Sequence, residues 1–231
     1  MKRIIPLIFL ALIIAACTTM PPEINDKYLA EKTDAESKNI FAMENKIIET
    51  NREKQTLEKK IYDNAKLPEE TEKELNLLQD ENDVLKKQIA VYEKNKDEAN
   101  LEAKKKQLNE NEIQIKAKSA LLKYQQMQND YNDTELDLKN AELAKYIAEL
   151  NVEKSRIAAV YRDKHEEVQE EEEGFFSKLF NKKDPDDKYE YKQYGEYLDK
   201  TEQDKSKAET KFKEAEKNFL EAKKALEKFK K

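Results

Sequence analysis

The chain has one cysteine, two glycines, one histidine, five prolines and no tryptophan among its 231 residues. A lone cysteine excludes an internal disulfide. With so little glycine there is no loop to cradle a phosphate. Without a second histidine or a spare thiol, nucleophile–base pairs and metal clusters lack their parts. The sequence therefore points away from catalysis and from any metal or small-molecule cofactor. The net charge is −6, with Lys interleaved among Glu, and a phosphate backbone repels such a chain, so nucleic acid is not an expected partner. What is abundant is charge, 41% of residues, together with Leu and Ala. That is the composition of long helices and coiled coils.

The N-terminus has a different character. Lys2 and Arg3 precede an apolar run from Ile4 to Ile14, which ends in Ala15-Ala16-Cys17. A basic start, a short apolar core and small residues before a cut site make a secretory signal peptide, residues 1–16. The run falls short of the roughly 20 residues that cross a bilayer as a helix. Ile14-Ala15-Ala16-Cys17 resembles the lipobox of bacterial lipoproteins, with Ile14 where that family prefers Leu. The resemblance implies a diacylglycerol on the Cys17 thiol, cleavage before Cys17, and an acyl chain on the new amine. Several acyl chains hold a protein on a membrane almost permanently, at about 0.8 kcal/mol per buried methylene. Losing residues 1–16 removes Lys2 and Arg3 and no acid, so the net charge moves from −6 to −8. Thr18 comes after the cysteine where enteric inner-membrane lipoproteins carry Asp, which by resemblance favours the outer membrane.

Residues 17–25 read as a lipidated tether, since the residue before a proline avoids helical angles and Pro21-Pro22 lie within it. A first helix is expected over 26–64, with its seam at Ile40, Met43, Ile47, Leu57 and Ile61, interrupted by Thr50 and Lys54. Pro68, with Glu69, Glu70 and Glu72 after it, suits a helix start. From there a heptad register runs through Leu75, Asn82 and Ile89 to Val152 and Ala159, predicting one long central helix over 69–168. Its weakest stretch is 96–110, where Lys96, Lys106 and Glu110 fall on core positions. A second stripe repeats every seven residues on another face: Leu101, Leu108, Ile115, Leu122, Leu136, Leu143, Leu150 and Ile157. Two stripes call for two neighbours, either short helices of the same chain or a second copy in a homo-oligomer. A third helix is expected over 188–231, with Tyr194, Leu198, Phe212, Phe219 and Leu226 on its seam. The expected fold class is all-α, an elongated antiparallel coiled coil in which two short helices fold back on one very long helix. Because the joint at Asn64–Pro68 is short, helix one is expected to reverse there and pack on residues 69–108.

The segment 169–187 is an acidic and aromatic joint. Phe175, Phe176, Leu179 and Phe180 share one apolar face, with Lys178, Lys182 and Lys183 around it. Aromatics beside lysines suit a membrane interface or a groove on a partner, while the alternative is a small core capping the helical hairpin. The functional expectation is a lipid-anchored scaffold or docking protein of the periplasm, with an unidentified envelope protein as partner. The alternative is a lipoprotein exposed outside the outer membrane that binds host or environmental ligands. The low-Gly, Lys- and Asn-rich composition is similar to that of helical lipoproteins of spirochaetes, many of which are surface-exposed.

Overall fold

The computed structural model describes residues 20–24, 26–172 and 191–229. A 3-10 turn, Asp26–Leu29, leads into four α-helices: α1 Asp34–Asn64, α2 Leu67–Asn95, α3 Glu98–Glu172 and α4 Tyr191–Glu227. No strand occurs among the described residues, and the protein is all-α, as its composition predicts.

The helix expected over 69–168 is two helices. Lys96 adopts the left-handed conformation, with φ 54 and ψ 37. Its N–H donates to the Glu93 carbonyl at 3.3 Å, and the Asp97 N–H donates to the Tyr92 carbonyl at 3.1 Å. These paired bonds satisfy carbonyls that a helix end otherwise leaves open. Asp97 then caps α3, its carboxylate accepting from the Asn100 N–H at 3.3 Å. The chain thus reverses within two residues, at one edge of the stretch where charged residues weaken the seam.

The chain divides into two compact units, Met1–Thr50 with Ala141–Lys205, and Asn51–Asn140 with Ser206–Lys231. In the second unit, partner numbers on α3 fall as numbers on α1 and α2 rise. Glu53 pairs with Lys139 at 2.8 Å, Glu74 pairs with Lys118, the Leu78 carbonyl accepts from Asn111 at 2.9 Å, and Glu93 pairs with Lys105 at 3.0 Å. The end of α1 and all of α2 therefore run in one direction, both antiparallel to α3. The reversal expected at Asn64–Pro68 does not occur. Pro68 stands in the first turn of α2, where its missing N–H costs nothing, so it marks a joint without turning the chain. The core pattern carries straight across: Ile61, Asn64, Pro68, Thr71 and Leu75 keep three-and-four spacing, and all are buried or half-buried.

On its other face in this unit, α3 meets α4. Tyr124 packs on Phe219 with ring centroids 5.4 Å apart, and Tyr131 packs on Phe212 at 5.1 Å and on Phe219 at 5.2 Å. The ring pairs again descend on one helix as they ascend on the other, so α4 is also antiparallel to α3. The two stripes of α3 have their two neighbours in the same chain.

The first unit repeats this plan with a different core. Its centre is Ile24, Tyr28, Leu29, Ile40, Leu150, Ile157, Ala158 and Tyr194, with Met43, Ile47, Val152 and Tyr161 packed around it. Fully burying each large apolar side chain contributes about 1.5–3 kcal/mol. The start of α1 is fixed by a reciprocal cap: Thr33 Oγ1 accepts from the Glu36 N–H at 3.2 Å, and Glu36 Oε2 accepts from the Thr33 N–H at 2.8 Å. That is a capping box, with Thr33 and Glu36 at the required spacing.

Candidate functional site

The residues that the sequence singles out lie outside the described residues: Cys17, and in the joint Phe175, Phe176, Lys178, Leu179, Phe180, Lys182 and Lys183. The side chain of His165 lies outside them too. The described residues begin at Met20, three beyond Cys17.

The segment from Pro21 is built into the core of the first unit. Pro21 and Ile24 are buried, and Tyr28 and Leu29 of the 3-10 turn are buried beside them. Tyr28 meets Tyr161 of α3 edge to face at 6.0 Å. Tyr194 of α4, only 1% exposed, donates its hydroxyl to the Pro22 carbonyl at 2.8 Å. A proline-rich stretch has carbonyls with no helical partner, and this hydroxyl satisfies one of them. The sequence reading of 17–25 as a tether is therefore corrected from Pro21 onward. The overlooked signal was Ile24, Tyr28 and Leu29, three apolar residues ahead of the Thr33 cap. Tyr194 stood on the expected seam, but its polar end gave no hint of a partner 172 residues away.

Next to this clamp is a cleft of about 590 Å³, lined by Met20, Pro21, Pro22, Gln193, Glu196, Tyr197 and Lys200. In the same unit, the Arg156 guanidinium bridges Glu36 at 3.0 Å and Glu153 at 2.9 Å, tying the start of α1 to α3. The Glu36 carboxyl is held below its ordinary range first by the Thr33 backbone N–H, then by the Thr33 hydroxyl and Arg156. Glu153 is lowered chiefly by its hydrogen bond from Arg156. These groups fasten helices together.

In the second unit, the notable polar feature is a row on α3 that is buried at Asn111 and Asn132 and half-buried elsewhere. Asn111, Lys118, Gln125, Asn132 and Lys139 recur every seven residues on the face that meets α1 and α2. Asn132 is wholly buried, and neither end of its amide bonds to the chain. Asn82 of α2 and Asn111 are buried as well. An unmade hydrogen bond in a core costs about 1–3 kcal/mol, and core amides at seam positions penalise slipped registers more than the native one. Sequence reasoning noted Asn82 on the seam and missed the α3 row, because it tracked apolar stripes.

No helix among the described residues is long and apolar enough to cross a membrane. No protein-family model matches the chain, and neither the curated proteins nor the solved structures searched contain a match.

Proposed function

We propose that this chain is an envelope lipoprotein, held on a membrane by acyl chains at Cys17, whose helical body scaffolds or docks another envelope protein in the periplasm. The N-terminal pattern supports the anchor. The observation that carries the mechanical part is the Tyr194–Pro22 clamp. Buried Pro21 stands four residues beyond Cys17, a reach of at most about 14 Å at about 3.5 Å per residue. A body fastened that near its lipid cannot sweep a large volume as one on a long flexible linker does. It holds its helices at a fixed offset from the bilayer, as a scaffold requires. The partner contact is assigned to the joint at Phe175, Phe176, Leu179 and Phe180 with Lys178, Lys182 and Lys183, and the outer membrane is the favoured site.

The test is replacement of Cys17 by Ser in the full chain. Loss of palmitate labelling together with release from the membrane fraction is the expected result. Retention in the membrane without label would contradict the lipid anchor. Protease treatment of intact cells then addresses the side: protection until permeabilisation fits the periplasmic scaffold, and cutting in intact cells favours the surface-exposed, ligand-binding alternative.

A further inference from the structure

The α2–α3 hairpin carries an apolar row that is exposed among the described residues. Leu77, Val84 and Val91 recur every seven residues along α2 and are 69, 50 and 55% exposed. They are distinct from the buried positions of the same helix, Leu75, Asn82, Leu85 and Ile89. Neighbouring outward rows of α2 are charged, such as Lys73, Asp80, Lys87 and Lys94. Scattered apolar residues on a surface mean little, but three branched aliphatics in register make a stripe of the kind that contacts another helix. Among the described residues, α4 provides no cover here. It reaches along α3 only to Ala117 and Lys118, which line a cleft with Leu226 and Phe229.

Charge identifies the occupant. The first half of α2 holds Glu69, Glu70, Glu72, Glu74, Asp80, Glu81 and Asp83 against Lys73. Past Val84 come Lys86, Lys87, Lys94 and Lys96 against Glu93. An identical helix laid parallel sets acid on acid. Laid antiparallel, with Val84 on the two-fold axis, it sets the acidic half of each on the basic half of the other. Leu77 then meets the partner's Val91, and Glu81 faces the partner's Lys87. A row with its own centre of symmetry and opposite charge on either side is self-complementary, as an isologous dimer requires. We propose that a second copy of this chain docks antiparallel along the outer face of α2, forming a homodimer centred on Val84. The inference does not depend on the lipid anchor.

The experiment is oxidative cross-linking of single-cysteine additions in the full chain, read on a non-reducing gel beside the unsubstituted protein. Val84→Cys brings two thiols together on the axis and is expected to yield a band at twice the chain mass. Leu77→Cys sets its two thiols about 21 Å apart along the helix at about 1.5 Å per residue, too far for a disulfide, whose Cα atoms lie within about 7 Å. It should give about ten-fold less dimer, and a mixture of Leu77→Cys and Val91→Cys chains should restore the band. Equal cross-linking of all three alone would mean a parallel pair and overturn the proposal, as would a band of another mass from a different partner or no band at all. Because these residues are exposed, the substitutions leave the fold intact, which an unchanged helical circular dichroism spectrum confirms. As a second variant, Glu81→Lys should weaken the dimer, and Glu81→Lys with Lys87→Glu should recover it. No change with Glu81→Lys contradicts the antiparallel pairing.

Discussion

In the second unit α3 sets rings on its face towards α4, and amides and ions among the leucines of its face towards α1 and α2. Towards α4 in the second unit, Tyr124 and Tyr131 pack on Phe212 and Phe219. Towards α1 and α2, the same helix presents Asn111, Lys118, Gln125, Asn132 and Lys139 between its leucines. In the first unit the α1 side again carries ions, with Arg156 on Glu36 and Glu153. Aromatic burial supplies free energy but tolerates slips of packing. Amides and charges supply less, and they penalise every register except one. The difference suits a helix with two neighbours: α4 is secured by area, whereas α1 and α2, two helices in sequence on one face, need their register specified.

If that division holds, the largest loss should come from the aromatic face. Phe219→Ala removes a ring that touches both Tyr124 and Tyr131 and should cost about 3 kcal/mol, near the low end for a core ring because it is half-buried. Denaturant titration reads this, and a loss under about 1 kcal/mol would put the stability elsewhere. The amide face should respond with the opposite sign. Asn132→Leu replaces a buried amide that bonds to nothing in the chain and is expected to raise stability by about 1 kcal/mol, read as a higher Tm. A lower Tm would mean the amide is satisfied and stabilising.

The turn that joins the two halves of the amide face offers a smaller gain. Lys96 occupies a left-handed position that disfavours a side chain, so Lys96→Gly should stabilise by about 0.5–1 kcal/mol. Destabilisation would argue against the reversal. The smallest effect is that of acid on the ionic contacts of the first unit. Glu36 and Glu153 have lowered pKa values in the folded chain, so their contribution is complete above the ordinary carboxylate pKa and is lost as pH falls through the lowered values. Arg156→Gln should flatten the acid side of the stability–pH curve without removing it, because Thr33 still holds Glu36. An unchanged curve would show that Arg156 adds nothing to the contact.

The aromatic face was readable from sequence because its residues are large, apolar and evenly spaced, and so was the leucine stripe on the second face. The polar members of that second face were not, since Asn111, Gln125 and Asn132 look like solvated helix residues until a neighbour covers them. The turn at Lys96 was hidden because the left-handed position holds lysine where glycine is the usual signal. Its trace was the run of charged core positions from Lys96 to Glu110. The proline at 68 misled in the opposite direction. It marked a true joint, but the spacing from Ile61 to Leu75 already showed that the seam continues through it. In the N-terminal segment the prolines suggest a tether, and the three apolar residues after them outweigh that signal.

The central claim is that α2 turns back on α3 at Lys96, which creates the amide face. Spin labels at Lys73 and Ser119, diluted with unlabelled chain, test it most directly, because the turned chain brings Glu74 and Lys118 together at that level. With helix axes about 8–10 Å apart, the labels should lie within about 25 Å of each other. A separation near 69 Å, the span of 46 residues of unbroken helix at about 1.5 Å each, would show that α2 and α3 are one helix and contradict the account.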